Sequence, residues 1–481
     1  MTKRRRHIRG IARVALIWAL AGALVGALIE VLADTLPRGL PMASLVDIWP
    51  PVLAILGFAG GTLFAAAFGV SEVSVLRTLR SVVRFRKLEL NPVARRLGRC
   101  ASVEDLREVA RRRLPRGVFG YIDGAAEDER TQARNCNAFH RLEFRPRVLR
   151  DVTNVDPGVT VLGRRHPLPL ILAPTGFSRI ADSEGELAVA RAAARAGLTY
   201  SLSTLGTRSI EEVAAVSSGP RWFQVYVWKD RGLVAELVER ARESGYEALL
   251  LTVDVAVLGR RERDVRLGFT LPPQLGLDTV VDGIRKPGWT WDFLTSEPIV
   301  FSSAVSRDTA GGAGGVDAMG LAQYVNRQFD PKLAWDDVDW LRSIWDGPIV
   351  IKGIQTVEDA ALAAEAGVEG IVISNHGGRQ LDDAPPTLEL LQPVADSVGD
   401  RLDVFIDGGV RRGSDIAKAV ALGARACLAG RAYFYALGAG GERGVDLVLK
   451  WFDDGFRRTM ALLGARTVDE ITPESVRWRD S

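Results

Sequence analysis

Eight short apolar runs, each followed by a polar or glycine-rich turn and most of them by a helical segment, leave this chain few folds. The runs are Leu170–Ala173, Thr199–Leu202, Trp222–Val227, Leu249–Val253, Ile349–Ile351, Ile371–Ile373, Val404–Ile406 and Ala426–Leu428. Runs bounded in this way mark parallel strands buried on both faces. Between them, Glu184–Ala196, Leu233–Glu243, Val357–Ala366 and Ser414–Leu422 carry the periodicity of crossover helices. Eight such units predict an α/β fold, a closed (β/α)8 TIM barrel, with its chemistry on the loops that leave the C-terminal strand ends.

Those exits carry polar or small residues: Pro174-Thr175-Gly176, Ser203-Thr204, Gln224 with Tyr226, Thr252 with Asp254, Lys352, Ser374 with His376, Asp407-Gly408-Gly409, and Gly430-Arg431. The sixth is the most telling, S-N-H-G-G-R-Q-L-D over 374–382. His376 is one of only 4 histidines in the chain. A base with a guanidinium three residues on, at Arg379, suits proton removal from a carboxylate-bearing substrate. Taken alone, the stretch also reads as a loop histidine satisfied by backbone.

Three cysteines, Cys100, Cys136 and Cys427, are odd in number and lack metal-ligand spacing. They point to a reducing compartment, no disulfide framework and no metal site. No Walker A loop or post-strand G-x-G-x-x-G is present, so ATP and Rossmann-bound NAD have no support.

Ahead of the barrel, Val14 to Ala33 is apolar with a single charge, Glu30, and Ile48 to Val70 has none. Twenty helical residues span roughly 30 Å, the hydrocarbon thickness of a bilayer. The expectation is an N-terminal two-helix transmembrane hairpin, with a signal peptide as the alternative for the first stretch. Basic residues flank both outer ends: Lys3 to Arg13 before, and Arg77 to Arg99 after, against one acid, Glu89. By the positive-inside rule the catalytic domain faces the cytoplasm from the inner (cytoplasmic) membrane. Beside a span, the 77–99 basic run suits anionic lipid better than nucleic acid. The expected organisation is thus 1–76 tail and spans, 77–99 basic linker, and 100–481 barrel, with a long loop at 271–316. That loop, bearing Trp289, Trp291 and Phe293, reads as an active-site lid or a membrane-facing flap.

From about residue 100 onward the chain resembles the FMN-dependent L-2-hydroxy-acid oxidising enzymes, among them glycolate oxidase, flavocytochrome b2, L-lactate dehydrogenase and mandelate dehydrogenase. The shared motifs are F-G-Y-I-D-G-A-A-E-D around Tyr121, A-P-T-G at 173–176, W-F-Q-V-Y-V at 222–227, T-V-D at 252–254, G-R-R-E-R-D at 259–264, V-I-K-G at 350–353, the 374–382 stretch, D-G-G-V-R-R-G at 407–413 and A-G-R-A at 429–432. The resemblance implies that His376 is the base with Asp254 as its carboxylate partner. Arg379 would fork the substrate carboxylate with Tyr121, Tyr226 and Arg261, and Lys352 would stand at the flavin N1/O2 edge. FMN would be held by Thr175, Gly176, Ser203, Gln224, Thr252, Lys352 and Ser374. Its phosphate would lie among Asp407, Gly408, Gly409, Arg411, Gly430 and Arg431.

The implied reaction is oxidation of an L-2-hydroxy acid, L-lactate first and a mandelate-like acid second, to the 2-keto acid. The membrane spans point to quinone as acceptor. The alternatives are an oxidase that uses oxygen and releases peroxide, and a membrane-tethered flavoprotein without turnover. A homo-oligomer, a tetramer, is the family expectation. Gly176 stands where glycolate oxidase has alanine and Leu205 where it has tryptophan, which implies room for a larger C2 substituent. His166 and Tyr200 read as structural, and His140 as a packing residue.

Overall fold

The eight apolar runs become parallel strands: β1 (Leu170–Leu172), β2 (Tyr200–Ser203), β3 (Arg221–Val225), β4 (Ala248–Thr252), β5 (Ile349–Ile354), β6 (Gly370–Ile373), β7 (Asp403–Ile406) and β8 (Ala426–Ala429). They pair in chain order, and β8 pairs with β1 to close the barrel. This computed structural model describes residues 89–269, 277–300 and 328–479. The predicted hairpin over 14–33 and 48–70 lies outside them. Among the described residues no helix is long and apolar enough to cross a membrane.

Strand side chains are buried almost throughout, as expected when helices cover the outside and side chains fill the inside. Full burial of each Leu, Ile, Val or Phe stabilises the fold by about 1.5–3 kcal/mol. The polar residues buried in the strands are therefore conspicuous. Ser203, Gln224, Thr252 and Lys352 all lie toward the C-terminal strand ends. Register sets them side by side, Ser203 opposite Gln224 and Thr252 opposite Lys352. After Lys352 the β5–β6 register shifts. Gly353 there has φ 122°, and a Cβ on it would come within 2.8 Å of the Asp254 Cβ. Such a bulge re-aims side chains at a barrel rim, and only glycine leaves room for Asp254.

The crossover helices begin on strong local signals. Ser209 and Glu212 form a reciprocal capping box before Ile210–Val216, and Thr356 caps Val357–Glu365 through the Asp359 N–H. After β8 come Arg431–Gly440 and the long helix Glu442–Leu463.

Two small sheets have no counterpart in the sequence reading. Val159–Val161 pairs with Arg164–His166 as a hairpin. It ties to the N-terminal strand ends through Leu162 N–H to Asp403 (2.9 Å) and Arg164 to Glu247 (2.6 Å), so it covers the lower mouth of the barrel. Leu142–Phe144 pairs with Val476–Trp478 and ties the segment ahead of the barrel to the one that follows it. The helix Pro92–Leu97 packs on Arg431–Gly440, with Leu97 buried where a Cβ on Gly440 would meet it at 2.7 Å. Within the long connection from β4 to β5, Leu277–Ile284 and Pro287–Thr295 are helices rather than loop, the second with proline in its first turn. His166 and Tyr200 are buried, but His140 is exposed on the outer side of Arg130–Arg141. Its neighbours Ala138 and Phe139 face the core instead.

Candidate active site

A cleft opens at the C-terminal end of the barrel. Every strand exit contributes to it. Thr175 and Gly176 come after β1, Ser203 from β2, Gln224 and Tyr226 from and after β3, and Thr252 from β4. Lys352 comes from β5, His376 and Arg379 after β6, Asp407, Gly408, Gly409 and Arg411 after β7, and Gly430 and Arg431 after β8. Arg261, from the β4–β5 connection, and Tyr121, from the helix Arg116–Asp123, complete the wall. Asp254 and Ser374, the two remaining predicted site residues, stand directly behind it, each hydrogen-bonded to a lining residue.

At the centre His376 Nδ1 lies 2.9 Å from Asp254 Oδ1. The Asp254 side chain is only 4% exposed, whereas that of His376 is 23% exposed. Burial draws the imidazole below its usual pKa; Asp254 opposes that shift and Lys352 adds to it. Burial works against the Asp254 charge too, but His376 and Lys352 outweigh it and hold the carboxyl below its usual value. Both shifts favour a neutral imidazole against a carboxylate. Nδ1–H donates to the Asp254 carboxylate, which leaves Nε2 unprotonated, the state a general base requires. His376 sits at φ 57°, an uncommon conformation for a non-glycine residue, with its N–H donating to Ser374 Oγ at 3.1 Å.

Ser374 Oγ also accepts from Lys352 Nζ at 2.9 Å, and Lys352 Nζ lies 3.2 Å from Asp407. Burial works against the charge of this lysine, but Asp407 and then Asp254 outweigh it and hold its pKa above the usual value. A fixed cation thus stands at the inner end of the cleft.

The cleft lining is also rich in arginine. Arg379 donates to the carbonyls of Tyr121 (2.7 Å) and Gly124 (2.9 Å), and its guanidinium lies 4.9 Å from the Tyr121 ring centre. Arg261 approaches the same ring at 6.0 Å, and its buried Nε has no hydrogen-bond partner among the described residues. Burial, and then the neighbouring Arg261, push Arg379 down to about 9. Two like charges crowded at one ring are relieved by an anion, and planar guanidinium forks suit a carboxylate.

The cleft also suits a flavin phosphate. Gly408 (φ 88°) and Gly409 (φ 92°) make a turn in which a Cβ on Gly409 would strike the Asn135 carbonyl at 2.4 Å. The N-cap of Arg431–Gly440 is Gly430, which supplies no side-chain acceptor, so the first-turn N–H groups stay open to an anion. Arg411 and Arg431 flank that end. On the wall, Gln224 Nε2 and Thr252 Oγ1 are buried without a partner among the described residues, as groups meant for a polar ring edge would be.

The FMN-dependent dehydrogenase family model matches residues 110–478. The chain belongs to that family. It is 45% identical to an L-lactate dehydrogenase of Caulobacter vibrioides, over 77% of this chain and 96% of that protein. It is 44% identical to spinach (Spinacia oleracea) glycolate oxidase, over 77% of this chain and 94% of that protein. Among solved structures, a monotopic membrane protein, (S)-mandelate dehydrogenase, aligns with a TM-score of 0.75 at 38% identity, covering 79% of this chain and all of that one (100%). The chain is an FMN-dependent 2-hydroxy-acid oxidoreductase.

Several residues at this site escaped the sequence reading. Asn135 and Asn375 exchange amide hydrogen bonds of 2.8 and 3.0 Å, joining the helix Arg130–Arg141 to the loop of His376. Asp123, behind Tyr121, accepts from Arg107, Arg263 and Tyr435. Asn375 lay in the stretch singled out from sequence, but nothing in its spacing names Asn135 as its partner.

Proposed function

We propose that the enzyme oxidises an L-2-hydroxy acid, L-lactate first, to the 2-keto acid and delivers the electrons to membrane quinone. The observation that carries the chemistry is His376, held by Asp254 at 2.9 Å, in the cleft that Arg379 and Arg261 also line. In this reading Arg379 and Arg261 take the substrate carboxylate, and the hydroxyls of Tyr121 and Tyr226 steady it. His376 Nε2 then accepts the substrate proton, and Asp254 stabilises the imidazolium so formed. Bound FMN supplies the two-electron acceptor. Lys352 places positive charge where electron density gathers, which favours the transfer. Thr175, Gly176, Ser203, Gln224, Thr252 and Ser374 would line the ring, with Asp407, Gly408, Gly409, Arg411, Gly430 and Arg431 around the phosphate.

Two features support the membrane part of the proposal. One is the pair of apolar stretches at the N-terminus, whose basic flanks are what a barrel on the cytoplasmic side of the inner membrane would call for. The other is the outer surface of the two connection helices, where Ile284, Trp291 and Leu294 are exposed beside Arg285 and Lys286. Tryptophan with cationic neighbours suits a lipid interface, and tethering raises the local concentration of a lipid-dissolved acceptor. A tetramer remains the family-based proposal for assembly.

The acceptor test compares the full chain with one that begins at Glu89, which keeps the packed helix Pro92–Leu97. With L-lactate, anaerobic bleaching of the flavin should be unchanged in the shorter chain. Reduction of membrane quinone should slow sharply. Rapid reoxidation by oxygen with stoichiometric peroxide, and no effect of quinone, would establish the oxidase instead.

Side-chain preference has its own test. A Cβ on Gly176 would lie 3.0 Å from Leu205 Cβ and 3.1 Å from its carbonyl oxygen, so Gly176→Ala must press Leu205, which lines the cleft. Overpacking typically costs about 1–3 kcal/mol. The expected result is a loss of kcat/KM that grows from glycolate through lactate to mandelate. Equal losses for the three would take this wall out of specificity.

A further inference from the structure

Two phenylalanines of the β4–β5 connection, Phe269 and Phe329, each pack on a tyrosine of the cleft. At the outgoing end, the Phe269 ring centre lies 5.2 Å from that of Tyr121, and a Cβ on Gly117 would touch its ring at 3.3 Å. At the returning end, Phe329 lies 5.2 Å from Tyr226 in a T-shaped contact with an interplanar angle of 72°. Backbone holds both phenylalanines in place. Phe269 N–H donates to Asp264 at 2.9 Å, Phe329 is bridged to Trp228, and Lys229 N–H donates to Gln328 at 2.9 Å.

We propose that Phe269 and Phe329 are positioning residues that hold the hydroxyls of Tyr121 and Tyr226 in register with the substrate carboxylate, so that the ends of the connection form part of the binding site. The inference rests on the reading that those two tyrosines bind substrate. A tyrosine hydroxyl lies far from its Cα, so a small rotation of an unsupported ring carries it out of hydrogen-bond range. An edge-to-face neighbour restricts that rotation. The two tyrosines are not equally dependent. Tyr121 is also contacted by Phe177, Arg379 and Arg261, whereas the one ring packed on Tyr226 among the described residues is Phe329. Phe329 therefore matters more.

The test is a double-mutant cycle in the full-length holoenzyme. Phe329→Leu is made alone and with Tyr226→Phe, and Phe329→Met serves the same cycle if the leucine variant folds poorly. The readouts are KM and kcat for L-lactate, and the Kd of oxalate from its perturbation of the flavin spectrum. Tyr226→Phe should raise KM about tenfold, the worth of one hydrogen bond to a charged group. Phe329→Leu should raise KM and the oxalate Kd roughly three- to tenfold with kcat nearly unchanged, and Phe329→Tyr should restore both. On the Tyr226→Phe background, Phe329→Leu should add less than about twofold, because no hydroxyl remains to be placed. Fully additive losses, or a silent Phe329→Leu, overturn the inference while leaving the tyrosine reading intact. A silent Tyr226→Phe overturns both.

Discussion

His376→Gln is expected to keep its FMN and to lose flavin reduction by substrate, with kcat/KM down by about 10²–10⁴-fold. The phosphate-binding features on the β7 and β8 loops do not depend on the imidazole, so the visible flavin spectrum should persist. Glutamine can still donate to Asp254 but has no basic nitrogen to offer the cleft. The pH dependence provides a second signature. His376 is active unprotonated, and burial holds its pKa below the ordinary 6.5. Wild-type kcat/KM should therefore be flat at neutral pH and fall only as pH drops through a midpoint below that value. The variant should lack this acid limb. Near-normal turnover with the limb intact would remove His376 from the mechanism.

Asp254→Asn is the second large effect. The carboxylate does two things for His376 across 2.9 Å: it fixes the proton on Nδ1, and it raises an imidazole pKa that burial and Lys352 lower. Asparagine does neither reliably, since its amide can present N–H to Nδ1 and favour the wrong tautomer. A loss in kcat of about 10²–10⁴ is expected by analogy with other carboxylate-oriented histidines. The sign of the pH effect follows. With the anion gone the His376 pKa falls further, so the acid limb should move to lower pH while the plateau drops. The fold should survive at neutral pH because Lys352 keeps Asp407 at 3.2 Å. Acid stability should change as well. A buried Asp254 with a lowered pKa stabilises the wild type above the unfolded value near 3.8, and that contribution is lost as pH falls through the folded pKa. The variant should show less of this loss. A kcat within a few-fold of wild type would mean that the pairing is not catalytic.

Both residues were legible in the chain, and the reason is physical. Strands buried on both faces tolerate few polar residues, so Thr252, Lys352 and the residues after them stand out against the runs Leu249–Leu251 and Ile349–Ile351. Strand existence, strand order and the functional rim are local properties written at a period of one strand and one helix. The crossover helices follow for the same reason, with caps such as Ser209 and Thr356 within a few residues of what they cap.

What tertiary structure alone decided lies at long sequence separation. The chain brings Tyr121, from a helix ahead of the barrel, under Arg379 at 4.9 Å, and pairs Asn135 with Asn375. It sets Phe269 and Phe329 against two cleft tyrosines and folds 159–166 across the barrel floor. Helices replace loop at 277–284 and 287–295. None of these contacts has a period or a neighbouring turn to announce it. Each exists because closing the barrel brings distant segments together, and their polar groups and rings are then satisfied by whatever stands opposite. The sequence determined that there is a barrel and which residues crown it; only the closed barrel determined which of them touch.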